Sequence, residues 1–570
     1  MNGTPLKIEF HPGCVQSAFQ TAQGELQDCR FAKRLIERDP TLFKAEPAHQ
    51  QVILNRLGWL ESYRIMRELA PELQAFAREV AGAGLNQIVL LGMGGSSLCP
   101  EVLGKVFGLP AHLEGYIVLD STAPSAVGQA ARATEPHRTL FIIASKSGTT
   151  VETRSHTDFF FARQKDRTEN PGSHFVAITD AGSILEQWGR QNCFRRIFLN
   201  PADIGGRFSA ISYFGLIPAA LLGIDLGAFL DGVEAAAKAE EADGPGRQLG
   251  AFLYACAAQG RDKITFLASP NTAPLVPWVE QLLAESTGKE GKGIFPIEGE
   301  PPGKADSYRD DRAFVVIRFA SEKNADAPLI AKLKGKEFPV AEMVLDRPES
   351  LGAAFLHWEW ATAAVGSLLQ VNPFDEPNVK ESKDNTTRLL VEFEERGKFA
   401  RRPEVARAEA FVLRATGLTF PPNTDAQHIL SAWLSGIHFG DYAALLAYSA
   451  PDEQVEQEMA EMRRALRDRL GVATLRGWGP RFLHSIGQLY KGGPARGHFL
   501  VMTHVPDDDM VIPGRQYTFG ELITAQALGD ADALAARSRP VVHAELSGDI
   551  HAAMRALSVE LLKAVAGIGG

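Results

Sequence analysis

The chain has 570 residues, 45% of them hydrophobic, and a formal net charge of −10. That length is too great for one hydrophobic core and predicts two or three domains, while the acidic balance argues against a nucleic-acid polyanion as the main partner. Five cysteines without paired spacing favour a reducing compartment over a disulfide framework or a metal cluster. No apolar run is long enough for a bilayer and the N-terminus lacks a signal-peptide pattern, so we expect a cytoplasmic protein with no membrane partner.

The first half of the chain alternates strands with helices. Residues 1–46 carry little signal and we expect them to wrap the surface, and a helical apolar pattern then runs from Pro47 to about Val80. Buried strands, each followed by a helix-like segment, are predicted at 87–93, 116–120, 139–145, 174–180 and 196–200. This order predicts a doubly wound parallel sheet, which binds its ligands at the carboxyl ends of the strands.

Two turns rich in glycine and hydroxyl groups lie at such strand ends. The turn SKSGTT at 145–150 leads from a strand into a helix, whose free N–H groups and dipole attract an anion. Gly95 and Ser96 lie in a similar turn upstream, which matches neither the dinucleotide-binding nor the Walker pattern. A turn of this kind is often only a helix N-cap. Its recurrence at two strand ends favours a site for a phosphate monoester.

A second unit follows the alanine-rich helices of 226–260. Its strands are predicted at 263–269, 293–299, 313–319 and 339–346. Glu285 lies at the end of an amphipathic helix, where a carboxylate opposes the dipole, so it is either a solvated surface acid or a residue kept for chemistry. Arg207, after a glycine pair, leaves a similar choice between a surface arginine and a guanidinium directed into a site.

The tail from about residue 425 reads as a separate small domain. Its strands and helices follow the β-α-β-β-α-β order of a ferredoxin-like sandwich. The segment between the inner strands, 481–497, holds His484 and Lys491 and is either a disordered connection or a lid. The predicted fold is therefore α/β: an N-terminal extension (1–46), two doubly wound parallel-sheet domains (47–222 and 223–400) and a C-terminal α+β ferredoxin-like domain (425–570).

Five motifs carry a resemblance to a known family: GMGGSSLCP, ASKSGTTVET, IGGRFSAISYFG, EQLLAESTGK and NPFDEPNVKESK. In these motifs and their order, over roughly residues 47–395, the chain resembles the glucose-6-phosphate isomerases, which have two sugar-isomerase domains. Residues 400–565 resemble the tail of bacterial enzymes in which a transaldolase is fused ahead of the isomerase. The stretch before residue 47 is too short for a βα barrel, so we expect the transaldolase part to be missing.

The resemblance implies an aldose–ketose isomerase that interconverts glucose 6-phosphate and fructose 6-phosphate through a cis-enediolate, in glycolysis and gluconeogenesis. It implies no metal, no organic cofactor and a homodimer. Glu285 would be the base, Arg207 would face the reacting carbons, and Lys383 would assist ring opening. The implied substrate-binding residues are Gly95, Ser96, Ser145, Lys146, Ser147, Thr150, Thr153 and Gln281.

Two departures from the family leave the ring-opening step open. The family usually takes a histidine for this step from the partner subunit, but no histidine lies between His174 and His357. Position 376 is glutamate where glutamine is usual. Lys383 with water, His357 or His484 are the possible substitutes, and His484 is preferred because His357 lies on an apolar helix face, where a core role is commoner.

Two alternative functions remain. One is an isomerase that also accepts mannose 6-phosphate, since the hydroxyls of Ser147 and Thr150 would loosen selection at C2. The other is a non-catalytic sugar-phosphate-binding protein. Such a binder needs the phosphate turn but no base, so Glu285, Arg207 and Lys383 together argue against it.

Overall fold

The computed structural model describes residues 6–242, 244–400, 402–416, 420–421, 424–504 and 508–568. Its strands are β1 (Leu6–His11), β2 (Gln87–Gly92), β3 (Gly115–Leu119), β4 (Thr139–Ala144), β5 (Phe175–Asp180), β6 (Arg196–Asn200), β7 (Lys263–Ala268), β8 (Phe295–Ile297), β9 (Arg312–Phe319), β10 (Val340–Leu345), β11 (Glu404–Arg407), β12 (Phe411–Thr416), β13 (Tyr442–Tyr448), β14 (Ala473–Trp478), β15 (Gly497–His504) and β16 (Val541–Leu546).

The α-helices are α1 (Gln16–Asp28), α2 (Phe31–Ile36), α3 (Pro47–Leu54), α4 (Trp59–Gly82), α5 (Leu98–Phe107), α6 (Pro124–Arg132), α7 (Val151–Lys165), α8 (Ile184–Gln191), α9 (Tyr213–Leu221), α10 (Leu226–Glu241), α11 (Pro245–Ala258), α12 (Val276–Thr287), α13 (Ala327–Gly335), α14 (Leu351–Leu369), α15 (Val379–Arg396), α16 (Ala426–Ser435), α17 (Glu453–Leu470), α18 (Gly487–Gly492), α19 (Phe519–Ala536) and α20 (Ile550–Gly567). Short 3₁₀ turns at Gly94–Ser96, Gly206–Phe208 and Arg481–His484 contribute to the site.

The first sheet is the predicted doubly wound one. Its order is β3-β2-β4-β5-β6 and all of its strand pairs are parallel. Every residue of β2 and β4 is buried, which explains why these strands are continuous apolar runs. The strand order reverses between β2 and β4, so the two hydroxyl-rich turns lie side by side at the switch point, where such sheets bind ligands.

The second sheet has the order β1-β10-β9-β7-β8, with parallel pairs among β10, β9, β7 and β8. Strand β1 pairs with β10 in the antiparallel direction, so the start of the described chain is an edge strand and not a surface wrap. Phe31 and Phe43 from the segment after it are fully buried in the core. The expectation that residues 1–46 wrap the surface was wrong, because their apolar positions are too few to give a periodic signal. The division of the chain into four segments stays a prediction.

The tail sheet corrects the ferredoxin-like prediction. Strands β14, β13, β15 and β16 are neighbours in that order and all parallel, whereas a ferredoxin-like sheet is antiparallel. Strands β12 and β11 add an antiparallel edge beyond β16. The error has a physical cause: the segment after β14, expected to be a lid or a disordered connection, folds into a 3₁₀ turn and α18. It is long enough to cross over and return parallel to β13.

Buried contacts join the tail to both other sheets. Phe295 of β8 packs on Tyr442 of β13 with ring centroids 4.6 Å apart. Beneath them the Glu300 carboxylate pairs with both terminal nitrogens of Arg312 at 3.0 Å, and it accepts hydrogen bonds from the backbone and hydroxyl of Thr474. On the other side, Phe519 of α19 shares a core with α7 of the first unit. The segment 481–484 is therefore fixed between the first and the second unit.

Candidate active site

Close backbone contacts bring together the 3₁₀ turns at Gly94–Ser96 and Gly206–Phe208. A Cβ at Gly95 would lie 2.0 Å from the carbonyl oxygen of Gly206, so only glycine allows the two 3₁₀ turns to touch. Gly94 has a φ of +55°, and a Cβ there would lie 2.7 Å from the carbonyl oxygen of His484. The glycines thus allow three distant parts of the chain to meet at one point.

The turn after β4 forms one wall of a cavity of about 580 Å³. Gly148, at φ +74°, donates its N–H to the buried Ser145 hydroxyl at 3.1 Å, which closes the turn. Thr150 precedes α7 and makes no side-chain cap hydrogen bond. Within the described chain, the buried Thr153 hydroxyl has no hydrogen-bond partner. These hydroxyls at a helix N-terminus make the cavity suited to an anion.

The cavity wall brings together most of the predicted substrate-binding residues: Ser96, Ser145, Lys146, Ser147, Thr150 and Thr153, with Lys383 from α15. The side chain of Lys146 is engaged elsewhere. Its ammonium pairs with Asp180 at 2.8 Å and donates to the carbonyl oxygens of Ala202 and Ile204. The lysine therefore holds the loop after β6 in place, and only its backbone remains for an anion.

A buried carboxylate–guanidinium pair lies next to this cavity. Glu285, on the last turn of α12, is 7% exposed, and its Oε2 lies 3.6 Å from Nη1 of Arg207. Further hydrogen bonds fix the guanidinium on Ser286 Oγ (2.8 Å), the Pro373 carbonyl (2.6 Å) and the Asp375 carbonyl (2.9 Å). Nη1 also pairs with Glu376 at 3.2 Å, and Glu376 lines the cavity. Glu285 thus lies one side chain behind the cavity wall.

The surroundings of Glu285 tune its proton affinity. Burial raises the pKa of Glu285, the Arg207 cation opposes this rise, and the Glu376 carboxylate adds to it. Gln281, one turn earlier on α12, donates to the Glu285 carboxylate at 3.1 Å and to the His484 carbonyl at 2.8 Å. Burial, with help from Arg207, lowers the pKa of Lys289 to about 8. A carboxyl with a raised pKa beside a fixed cation is a typical arrangement for proton transfer.

His484, which belongs to the C-terminal part of the chain, lies at the same site. Its Nε2 is 2.9 Å from Oε1 of Glu152, on the first turn of α7. Burial raises the pKa of Glu152, but His484, a backbone N–H and the charge of Lys383 together outweigh this effect and lower the pKa to about 2. Gln526 of α19 donates to the same carboxylate oxygen at 2.7 Å, and its own carbonyl accepts from Thr122 at 2.7 Å. Lys383 lines a gap of about 20 Å³ together with His484, Glu152 and Gln526.

Sequence reasoning missed several residues of this network. Glu152 lies inside one of the five motifs, but its position there indicates only the start of a helix. Gln526 and Thr122 carry no local signal, because their roles depend on a contact between α19 and the loop after β3. His357, the weaker candidate for ring opening, is buried and paired with Glu240 at 2.6 Å, away from the cavity.

The structure shows neither a metal centre nor a membrane segment in the part of the chain that it describes. Among these residues, no group of three or more His, Cys, Asp or Glu side chains is arranged to hold a metal ion. Within the same ranges, no helix is both long and apolar enough to cross a bilayer.

The fold and the site define an α/β protein with a hydroxyl-lined cavity at the switch point of its first parallel sheet. Residues 61–245 match the family model described as phosphoglucose isomerase. Glucose-6-phosphate isomerase from Heliobacterium modesticaldum is 31% identical over 44% of this chain, which spans 65% of that relative's length. Those from Symbiobacterium thermophilum and Thermus thermophilus are 29% and 27% identical over 58% and 63% of this chain, and 86% and 97% of their own length is covered. Over these stretches the chain is similar to the glucose-6-phosphate isomerases.

Solved structures show the same fold. A glucose-6-phosphate isomerase from Chlamydia trachomatis superposes with a TM-score of 0.57 at 18% identity, covering 69% of this chain and 90% of that one. A hypothetical protein from Thermus thermophilus superposes with a TM-score of 0.55 at 24% identity, covering 67% of this chain and 99% of that one.

Proposed function

We propose that the protein is a glucose-6-phosphate isomerase, a ketol-isomerase that interconverts glucose 6-phosphate and fructose 6-phosphate. The family match and the named relatives support this activity. The observation that carries the mechanism is the buried pair of Glu285 and Arg207, 3.6 Å apart, beside a cavity lined with hydroxyl groups.

The substrate phosphate binds in the turn after β4. Its charge meets the N-terminus of α7 and the hydroxyls of Ser145, Ser147 and Thr150. The phosphate does not react, so its binding energy holds the open-chain sugar in position over Glu285.

Glu285 carries out both proton transfers. Its carboxylate removes the proton from C2 of the aldose, which leaves a cis-enediolate with its charge on O1. The hydroxyl proton of O2 then moves to O1, and the carboxylic acid of Glu285 returns a proton to C1, which leaves the C2 ketone and the C1 hydroxymethyl group of the ketose. A raised pKa makes the carboxylate a stronger base and keeps the acid form stable until that return, and such catalysis contributes roughly 10²- to 10⁴-fold. Charge develops on O1 and O2, where the Arg207 guanidinium stabilises it by about 3 kcal/mol.

In the free protein, the Glu376 carboxylate pairs with the part of Arg207 that would bind the sugar oxygens. Its carboxylate pairs with Arg207 at 3.2 Å, yet its side chain is 48% exposed, so it is free to rotate away. We propose that the sugar oxygens displace Glu376 from Arg207 when the substrate binds. The displacement opens the cavity toward Glu285, which the wall otherwise screens.

His484 opens the sugar ring in this proposal. Glu152 is ionised and accepts hydrogen bonds only, so Nε2 of His484 donates to it and Nδ1 is left to exchange a proton with the ring oxygen. Lys383 lines both the large cavity and the small gap beside His484, so its charge is available to stabilise the developing charge of ring opening. All of these groups come from one chain. The homodimer and the cytoplasmic location stay predictions.

A coupled assay tests the activity directly. Fructose 6-phosphate is supplied in a buffer that contains a metal chelator, and glucose 6-phosphate is detected with a dehydrogenase. We expect saturable turnover, competitively inhibited by 5-phosphoarabinonate, an analogue of the enediolate. Binding of this inhibitor without turnover would indicate a sugar-phosphate binder, and comparable turnover of mannose 6-phosphate would indicate a dual isomerase.

A further inference from the structure

A second cleft, of about 580 Å³, lies between the first unit, the second unit and the tail. Its walls come from α5 of the first unit, from α12 and the end of β8 in the second unit, and from α17, β14 and the segment 481–485 of the tail. Trp478, Phe482 and several prolines give it apolar surface. The proposed isomerisation uses no residue that lines this cleft.

The cleft is acidic. Six carboxylates and three cations line it, and each of the two arginines is neutralised by carboxylates. Arg476 pairs with Glu298 at 3.1 Å and with Glu456 at 3.0 Å. Arg481 pairs with Asp120 at 3.1 Å and also with Glu101, which in turn pairs with Lys105 at 2.7 Å. Among the described residues that line the cleft, an anion would therefore find no free cation.

In the part of the chain that the structure describes, Glu280 is a buried carboxyl of this cleft that forms no ion pair with either arginine. It is 8% exposed, and within the described residues its one hydrogen bond comes from the Ser485 hydroxyl, at 3.0 Å to Oε1. The second oxygen, Oε2, has no such bond among the same residues. Burial and the nearby Glu298 raise the pKa of Glu280 to about 8, while Ser485, Arg476 and Arg481 oppose this rise. The carboxyl therefore holds a proton at neutral pH, and the cleft beside it has room for a cation that could take the place of this proton.

We propose that this cleft binds a small organic cation, an amine or a guanidine with a short apolar body, and that Glu280 is its counter-ion. The cationic group would pair with the unused Oε2, and the apolar body would lie against Trp478, whose face attracts cations. When the cation enters, Glu280 gives up its proton to the solvent. The charged groups that line the cleft with this carboxyl are Glu101, Lys105, Glu298, Asp452, Glu453, Glu456, Arg476 and Arg481, and the buried Tyr490 hydroxyl also interacts with it.

Binding of benzylamine, with benzyl alcohol as a neutral analogue of the same shape, tests the proposal. Titration calorimetry in two buffers of different ionisation enthalpy measures both the affinity and the protons released. We expect benzylamine to bind more tightly than benzyl alcohol, to release up to one proton per site at pH 7, and to bind more tightly as the pH rises toward 8.

The variant Glu280→Gln keeps the shape of the protonated side chain and an oxygen that accepts from Ser485, so it should fold. We expect it to weaken benzylamine binding roughly 10- to 100-fold, the loss typical of one hydrogen bond to a charged group, and to abolish proton release. The exposed Glu453 on the rim of the same cleft provides the matched control, Glu453→Gln, which should leave the affinity nearly unchanged. Equal affinity in Glu280→Gln and wild type, equal binding of amine and alcohol, or no binding at millimolar benzylamine would overturn the proposal.

The cleft adjoins the proposed active site through two pairs of neighbouring residues. Glu280 precedes Gln281, and Ser485 follows His484, so a cation on Glu280 pulls on both segments that hold the proposed base and ring-opening histidine. We therefore expect saturating benzylamine to change kcat of the isomerase, and this part rests on the proposed function. The calorimetric test does not use activity, so a failed isomerase assay leaves the binding site standing. A constant kcat through the range in which binding saturates would overturn the coupling.

Discussion

Replacing Glu285 by glutamine removes the proposed base with little change in shape. The amide oxygen still accepts from Gln281, and Arg207 keeps its bonds to Ser286 and to the Pro373 and Asp375 carbonyls. The hydroxyls of the phosphate turn are untouched. We therefore expect Glu285→Gln to lower kcat and to leave the affinity for an unreactive substrate analogue almost unchanged.

The expected loss in kcat is roughly 10²- to 10⁴-fold, the usual contribution of a general base. At about 1.4 kcal/mol per factor of ten, this corresponds to about 3 to 5 kcal/mol of transition-state stabilisation. Stability should not fall. Because the pKa of Glu285 is higher in the folded chain, the free energy of unfolding falls as the pH rises through that folded pKa, and an amide carries no such penalty.

Three measurements check this prediction. Exchange of the C2 proton of glucose 6-phosphate with D₂O, followed by NMR, reports the base directly, and inhibition by glucitol 6-phosphate reports phosphate binding. Urea unfolding at pH 8 should show Glu285→Gln at least as stable as wild type. The exposed Glu290, a few residues beyond α12, gives the control Glu290→Gln, which should exchange at the wild-type rate. Exchange in Glu285→Gln within tenfold of wild type would refute the assignment of the base.

Three further predictions follow from single contacts. Glu376→Gln should move the acidic limb of the kcat/KM profile to lower pH, because the Glu376 carboxylate raises the pKa of Glu285; an unmoved limb would mean that another group titrates there. Glu152→Gln and His484→Gln should each lower kcat, and the double variant should lose little more than the worse single one, since both act through one 2.9 Å hydrogen bond; multiplicative losses in steady-state assays would contradict this. Glu300→Ala should lower the free energy of unfolding by about 3 to 5 kcal/mol, because it leaves Arg312 buried without its partner. Urea unfolding against the exposed control Glu409→Ala measures this loss, and matching midpoints would show that the pair does not hold the tail.

The parts of the protein that depend on neighbouring residues were predictable. Apart from β1, the strands of the first two sheets are apolar runs bounded by turns, and the turn at 145–150 combines hydroxyls with a helix start. These features follow from the local chain, because backbone preferences and side-chain periodicity act over a few residues. The motif EQLLAESTGK likewise placed Glu285 at the C-terminal end of a helix, where the helix dipole destabilises a carboxylate.

The direction of the tail strands and the origin of the histidine depend on long-range contacts. His484 meets Glu152 across 332 residues, and Gln526 meets it across 374, so no local pattern relates them. Whether β15 returns parallel or antiparallel to β13 depends on how the crossover packs, and the same residues suit a lid or a helix until that packing is known. The hydroxyl-rich turn after β4 and the carboxylate at the end of α12 could therefore be read from the amino-acid sequence, since both are properties of short segments. The groups that face Glu285 and the distant partner of His484 became known only from the folded chain, because buried charges find their partners through contacts between elements far apart in sequence.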